Sequence, residues 1–248
     1  MIKPTFLNSD EHPTRVGYVF GTPLVVKGIT WLPLLEMAAW GLMVWMVDRK
    51  HPEWPRAKKV SAGALAATIM FGSEWCHNLA HTAVAHQIGK PVDAIRIFWG
   101  TPTLIYYDLN DRQVSPRQHI LRASGGPIFN ALMVPICWLA TRLTKAGSLP
   151  RYAADFALGT NSFIATIALL PIPGIDGGPI LKWSLVDRGQ TPEQADATVK
   201  KVNLAMGSGL GIAAGVALMK RRRWLGAAIA AFAATSLAIG LGLLKEQK

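Results

Sequence analysis

The sequence contains few cysteines, and it begins without a long apolar run. Two cysteines occur among 248 residues, Cys76 and Cys137, and both lie inside apolar segments. This usage argues against a disulfide framework and indicates packing roles. Residues 1–30 are too polar to supply the continuous apolar core of a secretory signal, so no cleavable signal peptide is expected.

Acidic residues are also scarce. The chain has 15 Asp and Glu against 26 Lys and Arg, which gives a formal net charge of +11. In a soluble protein this excess would suggest a nucleic-acid partner. Here the basic residues flank apolar runs, and such positions favour anionic lipid headgroups and membrane topology as the explanation. We therefore expect membrane lipid as a partner and no nucleic acid.

Apolar length is what the sequence has in abundance. Hydrophobic residues make up 50% of the chain and cluster in long runs. This predicts a multi-pass integral membrane protein of a cell inner or plasma membrane. The chain is long enough for one helix bundle but too short for a bundle and a sizeable soluble domain. The predicted fold class is an all-α polytopic membrane protein with about six transmembrane helices and a small interfacial β-hairpin or sheet.

The predicted architecture is a single membrane domain over residues 1–248. An N-terminal interfacial segment at 1–29 precedes a core at 30–182, and a C-terminal helix pair occupies 202–248. The six predicted spans lie near residues 30–47, 60–88, 119–141, 152–172, 203–219 and 224–244. Glycines at four-residue spacing in the fifth span predict a helix-packing face. They are Gly207, Gly211 and Gly215.

Two stretches outside the spans are predicted to be extended. Residues 16–26 are broken by Gly21-Thr22-Pro23, which favours an interfacial hairpin. At 92–108, alternating apolar residues flank Gly100-Thr101-Pro102, which predicts a β-hairpin. An ordinary headgroup-level loop is the alternative for the second stretch.

The second span carries ionisable residues, which are costly inside a membrane and usually functional. His77 and His81 fall on one helix face, one turn apart, which is the spacing of two imidazoles that share one zinc ion. Glu74 and Asn78 lie on the same stripe. A histidine pair satisfied by hydrogen bonds inside a polar helix bundle is the plainer alternative. A carboxylate on the stripe of a membrane helix favours the metal interpretation.

Two more elements supply polar groups at membrane depth. The third span contains Gly125-Gly126-Pro127, whose glycines allow another backbone to approach, and then Asn130. The fourth span ends at Pro171-Ile172-Pro173, where the prolines must break the helix, and Asp176 follows in the break. A catalytic zinc takes three protein ligands, and Asp176 is the best third ligand. It could instead form a turn before Gly177.

Together these elements resemble the site-2 protease family of intramembrane zinc metalloproteases. The resemblance covers roughly residues 15–182 and is most specific at the Pro-rich Asp-Gly-Gly element. It implies zinc ligands at His77, His81 and Asp176 and a polar helper at Asn130. It also implies that a strand edge pairs with an unwound transmembrane peptide as substrate or partner.

Two positions depart from the family pattern. Asn78 stands where the family has its general-base Glu, and Ala168 stands where it has Asn. An amide cannot accept and deliver a proton as a carboxylate does, and loss of a general base costs typically ~10²–10⁴ in rate. A deliberate inactivating substitution would explain Asn78 but not Ala168, so the two departures together favour natural divergence of the sequence.

Three functions remain open from the sequence. The first is a zinc metallopeptidase in which Glu74 or another group replaces the base. The second is a pseudoenzyme that retains metal and binds a membrane segment as a regulator or chaperone. The third is other metal chemistry on a small amphiphile. Asn78, Glu74 and Asn130 are the candidate catalytic residues.

Membrane orientation also remains open. The short loops at 48–59, 142–151 and 220–223 are dense in Lys and Arg, which favours a cytoplasmic position for them. The family resemblance instead implies that the termini and the hairpin at 92–108 are cytoplasmic.

Overall fold

A computed structural model of the chain describes residues 13–108, 110–111 and 113–243. The described part is mostly helical, with one small sheet. The elements, in chain order, are β1 Thr14–Val19, β2 Thr22–Val26, α1 Leu34–Lys50, α2 Arg56–Gln87, β3 Ala94–Phe98, β4 Thr101–Ile105, α3 Pro116–Leu143, α4 Leu149–Ala168, α5 Gly177–Asp187, α6 Pro192–Met219 and α7 Arg223–Gly240. The first part of the predicted interfacial segment, residues 1–12, lies outside the described residues.

Contacts divide the chain into two compact units. The first contains Met1–Asp111 and Ser124–Ile167, and the second contains Arg112–Ala123 and Ala168–Lys248. The first unit holds the sheet, α1, α2 and most of α3 and α4. The second holds α5, α6 and α7. That the chain behaves as a single membrane domain stays a prediction.

Within the residues that the structure describes, three helices are long and apolar enough to cross a membrane, namely α3, α6 and α7. The chain is therefore a helical membrane protein, and the full count of six spans stays a prediction. α6 is longer than the predicted fifth span because it begins at a capping box. Thr191 accepts from the Gln194 N–H, the Gln194 side chain accepts from the Thr191 N–H, and Pro192 starts the helix.

The sheet in the first unit has four strands in the order β1-β2-β3-β4. β1 and β2 form one antiparallel hairpin, β3 and β4 form another, and β2 pairs with β3 in parallel. The same four-residue pattern, aromatic-Gly-Thr-Pro, makes both turns. Phe20-Gly21 and Trp99-Gly100 all have positive φ, as a tight two-residue hairpin turn requires. The hairpin at 92–108 is thus present as strands, and a plain loop is excluded.

Glycine packing in the second unit differs from the predicted face. A Cβ at Gly207 would meet Leu237 of α7, which confirms a packing role there. At Gly211 and Gly215 a Cβ would meet nothing within 4 Å, so the prediction for these two residues is wrong. The second close contact comes from Gly240 of α7 against Leu204. The four-residue spacing marks one helix face but does not show how far the partner helix follows it.

Candidate metal centre

The two histidines of α2 lie side by side in the interior of the first unit. His77 is 8% exposed and His81 is 4% exposed. Their Nε2 atoms are 3.1 Å apart, and the two rings are nearly perpendicular, with an interplanar angle of 78°. One turn of helix therefore brings two imidazole nitrogens to a single point, which is the arrangement that a shared ligand or a shared proton requires.

A chain of amides behind His77 fixes which of its nitrogens carries hydrogen. Asn161 donates to the Ala157 carbonyl, 2.9 Å away, and a carbonyl can only accept. The Asn161 oxygen is thereby left to accept from the Asn130 amide at 2.8 Å. The Asn130 oxygen then faces His77 Nδ1 at 2.6 Å and must accept from it. His77 carries its hydrogen on Nδ1, and its Nε2 lone pair points toward His81.

His81 is arranged in the opposite sense. Its Nδ1 lies 3.3 Å from the backbone N–H of Gly126, which donates to it. In this arrangement the hydrogen of His81 sits on Nε2 and bridges to the Nε2 lone pair of His77. If His81 were to hold a metal ion through Nε2, its hydrogen would move to Nδ1, and the long contact with the Gly126 N–H would be lost.

Gly126 tests whether an ion would fit. A Cβ at this position would collide with the Nε2 atoms of both His77 and His81. A Cβ at neighbouring Gly125 would lie 2.8 Å from the Ala80 carbonyl oxygen, so α3 and α2 are in close contact here. The space beside the two nitrogens exists only because residue 126 has no side chain. An ion at ~2.0–2.1 Å from each nitrogen suits such a space, and the donor set suits zinc.

Asn78 and Glu74 face each other one turn apart on α2. The Asn78 amide donates to the Glu74 carbonyl at 3.0 Å and, over a longer 3.4 Å, to the Glu74 carboxylate. Among the described residues, Asn78 is the hydrogen-bond partner of the Glu74 side chain. Both side chains are half-buried. Glu74 therefore contacts Asn78, and it also lines a cavity.

Asp176 lies in the second unit, at the residue before α5. The break before it is tight, because a Cβ at Gly177 would collide with the carbonyl oxygens of Leu169 and Leu170. Asn203 of α6 donates to the Pro171 carbonyl at 2.7 Å and holds the break in place. The side chain of Asp176 makes no capping hydrogen bond to α5. The alternative role predicted for Asp176, forming a turn before Gly177, is therefore not supported by a capping hydrogen bond.

Sequence reasoning missed Asn161, which is 2% exposed. Its amide also lies 3.3 Å from the Ser73 hydroxyl, so it joins α4 to α2 as well as to α3. The signal was available, since an amide in the middle of an apolar span is costly unless it is paired. The family pattern had directed attention to Ala168 instead.

The β3–β4 hairpin is fixed to the helices that flank it. Trp75, two residues before His77, donates from Nε1 to the Gly100 carbonyl at 2.9 Å. The backbone N–H of Trp99 donates to the Thr30 carbonyl at 2.7 Å. Glu36, for which the sequence suggested no role, packs its carboxylate against Gly100. The hairpin turn is thus held from both α1 and α2.

Comparison with known proteins gives two similarities. No protein-family model matches the chain. A protein of Methanocaldococcus jannaschii, provisionally named a zinc metalloprotease, is 31% identical over 71 residues. That match covers 29% of this chain and 37% of the relative, so the chain spans little more than a third of its length. The solved site-2 protease from the same organism superposes with a TM-score of 0.51 at 11% identity, over 91% of this chain and 95% of that one.

The chain has the fold of the solved site-2 protease, since the structural likeness extends over nearly the whole chain. The resemblance predicted from the sequence is confirmed at the level of the fold. The fold by itself leaves the reaction open, because function depends on the residues of the site. In this chain, position 78 is an amide.

Proposed function

We propose that this protein is a site-2-protease-like zinc protein that acts on membrane-embedded peptide segments. In this proposal His77, His81 and Asp176 are the ligands of the ion, and Asn130 orients His77 through its Nδ1 hydrogen. The observation that carries the proposal is the convergence of the two Nε2 atoms, 3.1 Å apart, beside the space left by Gly126. A bound zinc ion would supply a water with a pKa of about 7 and would polarise a carbonyl.

The β3–β4 hairpin supports a peptide as the ligand. β4 is an edge of the sheet among the described residues, since it pairs only with β3. An edge strand offers backbone N–H and C=O groups, and an extended peptide can add to it as a further strand. A membrane helix must unwind before its peptide bonds can be reached, and such an edge would hold it extended. Trp75, two residues before His77 on α2, donates to the Gly100 carbonyl in the turn that leads into β4.

Slow hydrolysis is part of the proposal. A general base must accept a proton from the attacking water, and the amide of Asn78 cannot. Glu74 is the nearest carboxylate along the helix, and Asn78 donates to it. That hydrogen bond keeps the Glu74 carboxylate beside the position of the missing base. Glu74 is therefore the group we propose for any hydrolysis in the natural chain.

The experiment restores the base. Asn78→Glu should raise cleavage of a transmembrane peptide in liposomes by the ~10²–10⁴ that a positioned base contributes. Asn78→Gln is the matched control, since it adds the same methylene without the carboxylate, and it should give no gain. Cleavage is measured by mass spectrometry beside the zinc content of each variant. If the natural chain already cleaves fast and Asn78→Glu slows it, our account of position 78 is wrong.

A second function, binding without cleavage, is favoured by one observation. The Asn78 amide is already engaged with Glu74, so the site is satisfied without a proton acceptor at position 78. In that case neither the natural chain nor Asn78→Glu would cut a peptide, although both would hold zinc. Crosslinkers at Ile97 or Leu104 would still capture a peptide. If the crosslinkers captured no peptide, metal chemistry on a small amphiphile would be the remaining hypothesis for the function.

A further inference from the structure

The first unit contains a second feature, which shares Glu74 with the candidate site. A cavity of about 770 Å³ lies between α1, α2 and α4, and we call it the lateral cavity. Small-molecule sites in proteins are typically ~300–1,000 Å³. Most of its wall is apolar. The large apolar side chains along this part of the wall are Met43, Met46, Met70, Phe71, Phe156 and Phe163.

One end of the lateral cavity is aromatic and basic. His51 stacks on Trp54 with ring centroids 4.1 Å apart, and Tyr152 meets Trp54 edge-on at 5.9 Å. Lys50 and Arg151 line the same end. Aromatic rings with a polar edge and flanking cations are typical of the level of lipid headgroups. The three aromatic residues join the α1–α2 loop to the first turn of α4 at this level.

The charges at this end leave a cation available. Arg151 pairs with Asp155 at 3.0 Å, which neutralises it in part. Lys50 is exposed, and the structure gives it no ion-pair partner within the described residues. Besides Asp155, the cavity wall contains one further carboxylate, Glu74. Glu74 lies about 27 Å along α2 from the start of that helix, at 1.5 Å per residue, and is therefore far from the aromatic end. Glu53 lies 3.4 Å from His51, and Lys58 lies 3.8 Å from the centre of the Trp54 ring. With these two groups included, three cations face two carboxylates at the aromatic end, which favours an anion.

The length of the lateral cavity matches one leaflet. Its lining on α4 runs from Arg151 to Ile164, a rise of about 20 Å at 1.5 Å per residue. Half of a ~30 Å hydrocarbon core is ~15 Å, and a headgroup layer adds several more. One acyl chain and its phosphate therefore correspond in length and in polarity to the cavity.

We propose that the lateral cavity binds one anionic phospholipid. Its phosphate lies at Lys50 and Arg151, and an acyl chain extends along the apolar wall toward Phe163. The arrangement of a cationic, aromatic end and a long apolar wall distinguishes this ligand from a transmembrane peptide, which carries side chains of mixed polarity along its length. The proposal does not depend on zinc or on hydrolysis.

The test uses the full-length protein, purified in detergent and freed of lipid. Native mass spectrometry compares dioleoyl-phosphatidylglycerol with dioleoyl-phosphatidylcholine, which has the same chains and a neutral headgroup. One molecule of the anionic lipid should bind in preference. Lys50→Gln should reduce that preference about fivefold, the factor that corresponds to ~1 kcal/mol per basic residue near an anionic headgroup. Lys50→Gln with Arg151→Gln should abolish it.

A second variant tests the apolar part. Gly159 lines the cavity, and a Cβ there would meet nothing within 4 Å, so Gly159→Leu fills the space without a clash. It should weaken both lipids at least tenfold. Gly41→Leu is the control, since Gly41 is equally open and lies outside the cavity lining. Three results would each overturn the proposal. They are unchanged lipid binding in Gly159→Leu, equal binding of the two lipids, and a transmembrane peptide that displaces the lipid and stays bound in its place.

Discussion

Two of the glycine contacts between helices in the described part of the chain differ in the groups that lie opposite the glycine. In the first unit, Gly125 and Gly126 of α3 face α2, where the neighbours are a backbone carbonyl and two imidazoles. In the second unit, Gly207 of α6 faces Leu237 of α7. The close approach is the same in both pairs. The side chains opposite the glycine decide whether it serves packing alone or leaves space for chemistry.

Gly126→Ala should break this comparison most strongly. The added methyl group would occupy the space beside both Nε2 atoms, so the rings must turn away and zinc should no longer bind stoichiometrically. Metal analysis of the purified variant measures this. Gly72→Ala is the control on α2, since a Cβ there would meet nothing within 4 Å. Full zinc in Gly126→Ala would show that the space has no connection with the metal.

Asn130→Ala should have the next largest effect. It removes the acceptor that holds the hydrogen of His77 on Nδ1, and the loss of such an orienting partner typically costs ~10–100-fold in metal affinity. Competition with a chelator measures the affinity. Asn161→Ala should lower the affinity less, because Asn161 acts on His77 only through Asn130. Equal effects of the two variants would contradict this order.

Gly207→Ala sharpens the contrast from the second unit. A Cβ there would lie 2.8 Å from Leu237, and overpacking of this kind costs typically ~1–3 kcal/mol. The free energy of unfolding should fall by about this amount while the zinc content stays normal. Gly211→Ala is the control and should be neutral or stabilising by up to ~1 kcal/mol. Loss of zinc in Gly207→Ala would mean that the contact has more than a packing role.

The sequence was sufficient for features that repeat along one helix. The i, i+4 histidines, the glycines of α3 and the start of α6 at Thr191 are local patterns with local physical causes. The family resemblance supplied the grouping of distant elements. The repeated aromatic-Gly-Thr-Pro pattern could have predicted both hairpin turns, since each needs two residues with positive φ.

Features that depend on distant partners could not be predicted in the same way. The role of Asn161 depends on its hydrogen bond with Asn130, which lies 31 residues earlier and on another helix. The parallel pairing of Leu24 with Ile95 joins segments whose patterns are independent. Helix α5 was missed because prolines and glycines before it indicated an irregular turn. Gly211 and Gly215 share spacing with Gly207 but not its neighbour, which only the packed structure shows.

The zinc content of the natural protein tests the central claim most directly. Full-length protein purified without chelators is analysed for metal beside His81→Ala, which removes one of the two converging nitrogens. The account predicts one zinc per chain in the natural protein and none that is stoichiometric in the variant. Asp176→Ala should also lose zinc, which would identify the third ligand. Little zinc in the natural protein, unchanged in His81→Ala, would mean that the two imidazoles share only a proton and that no metal centre exists at this site.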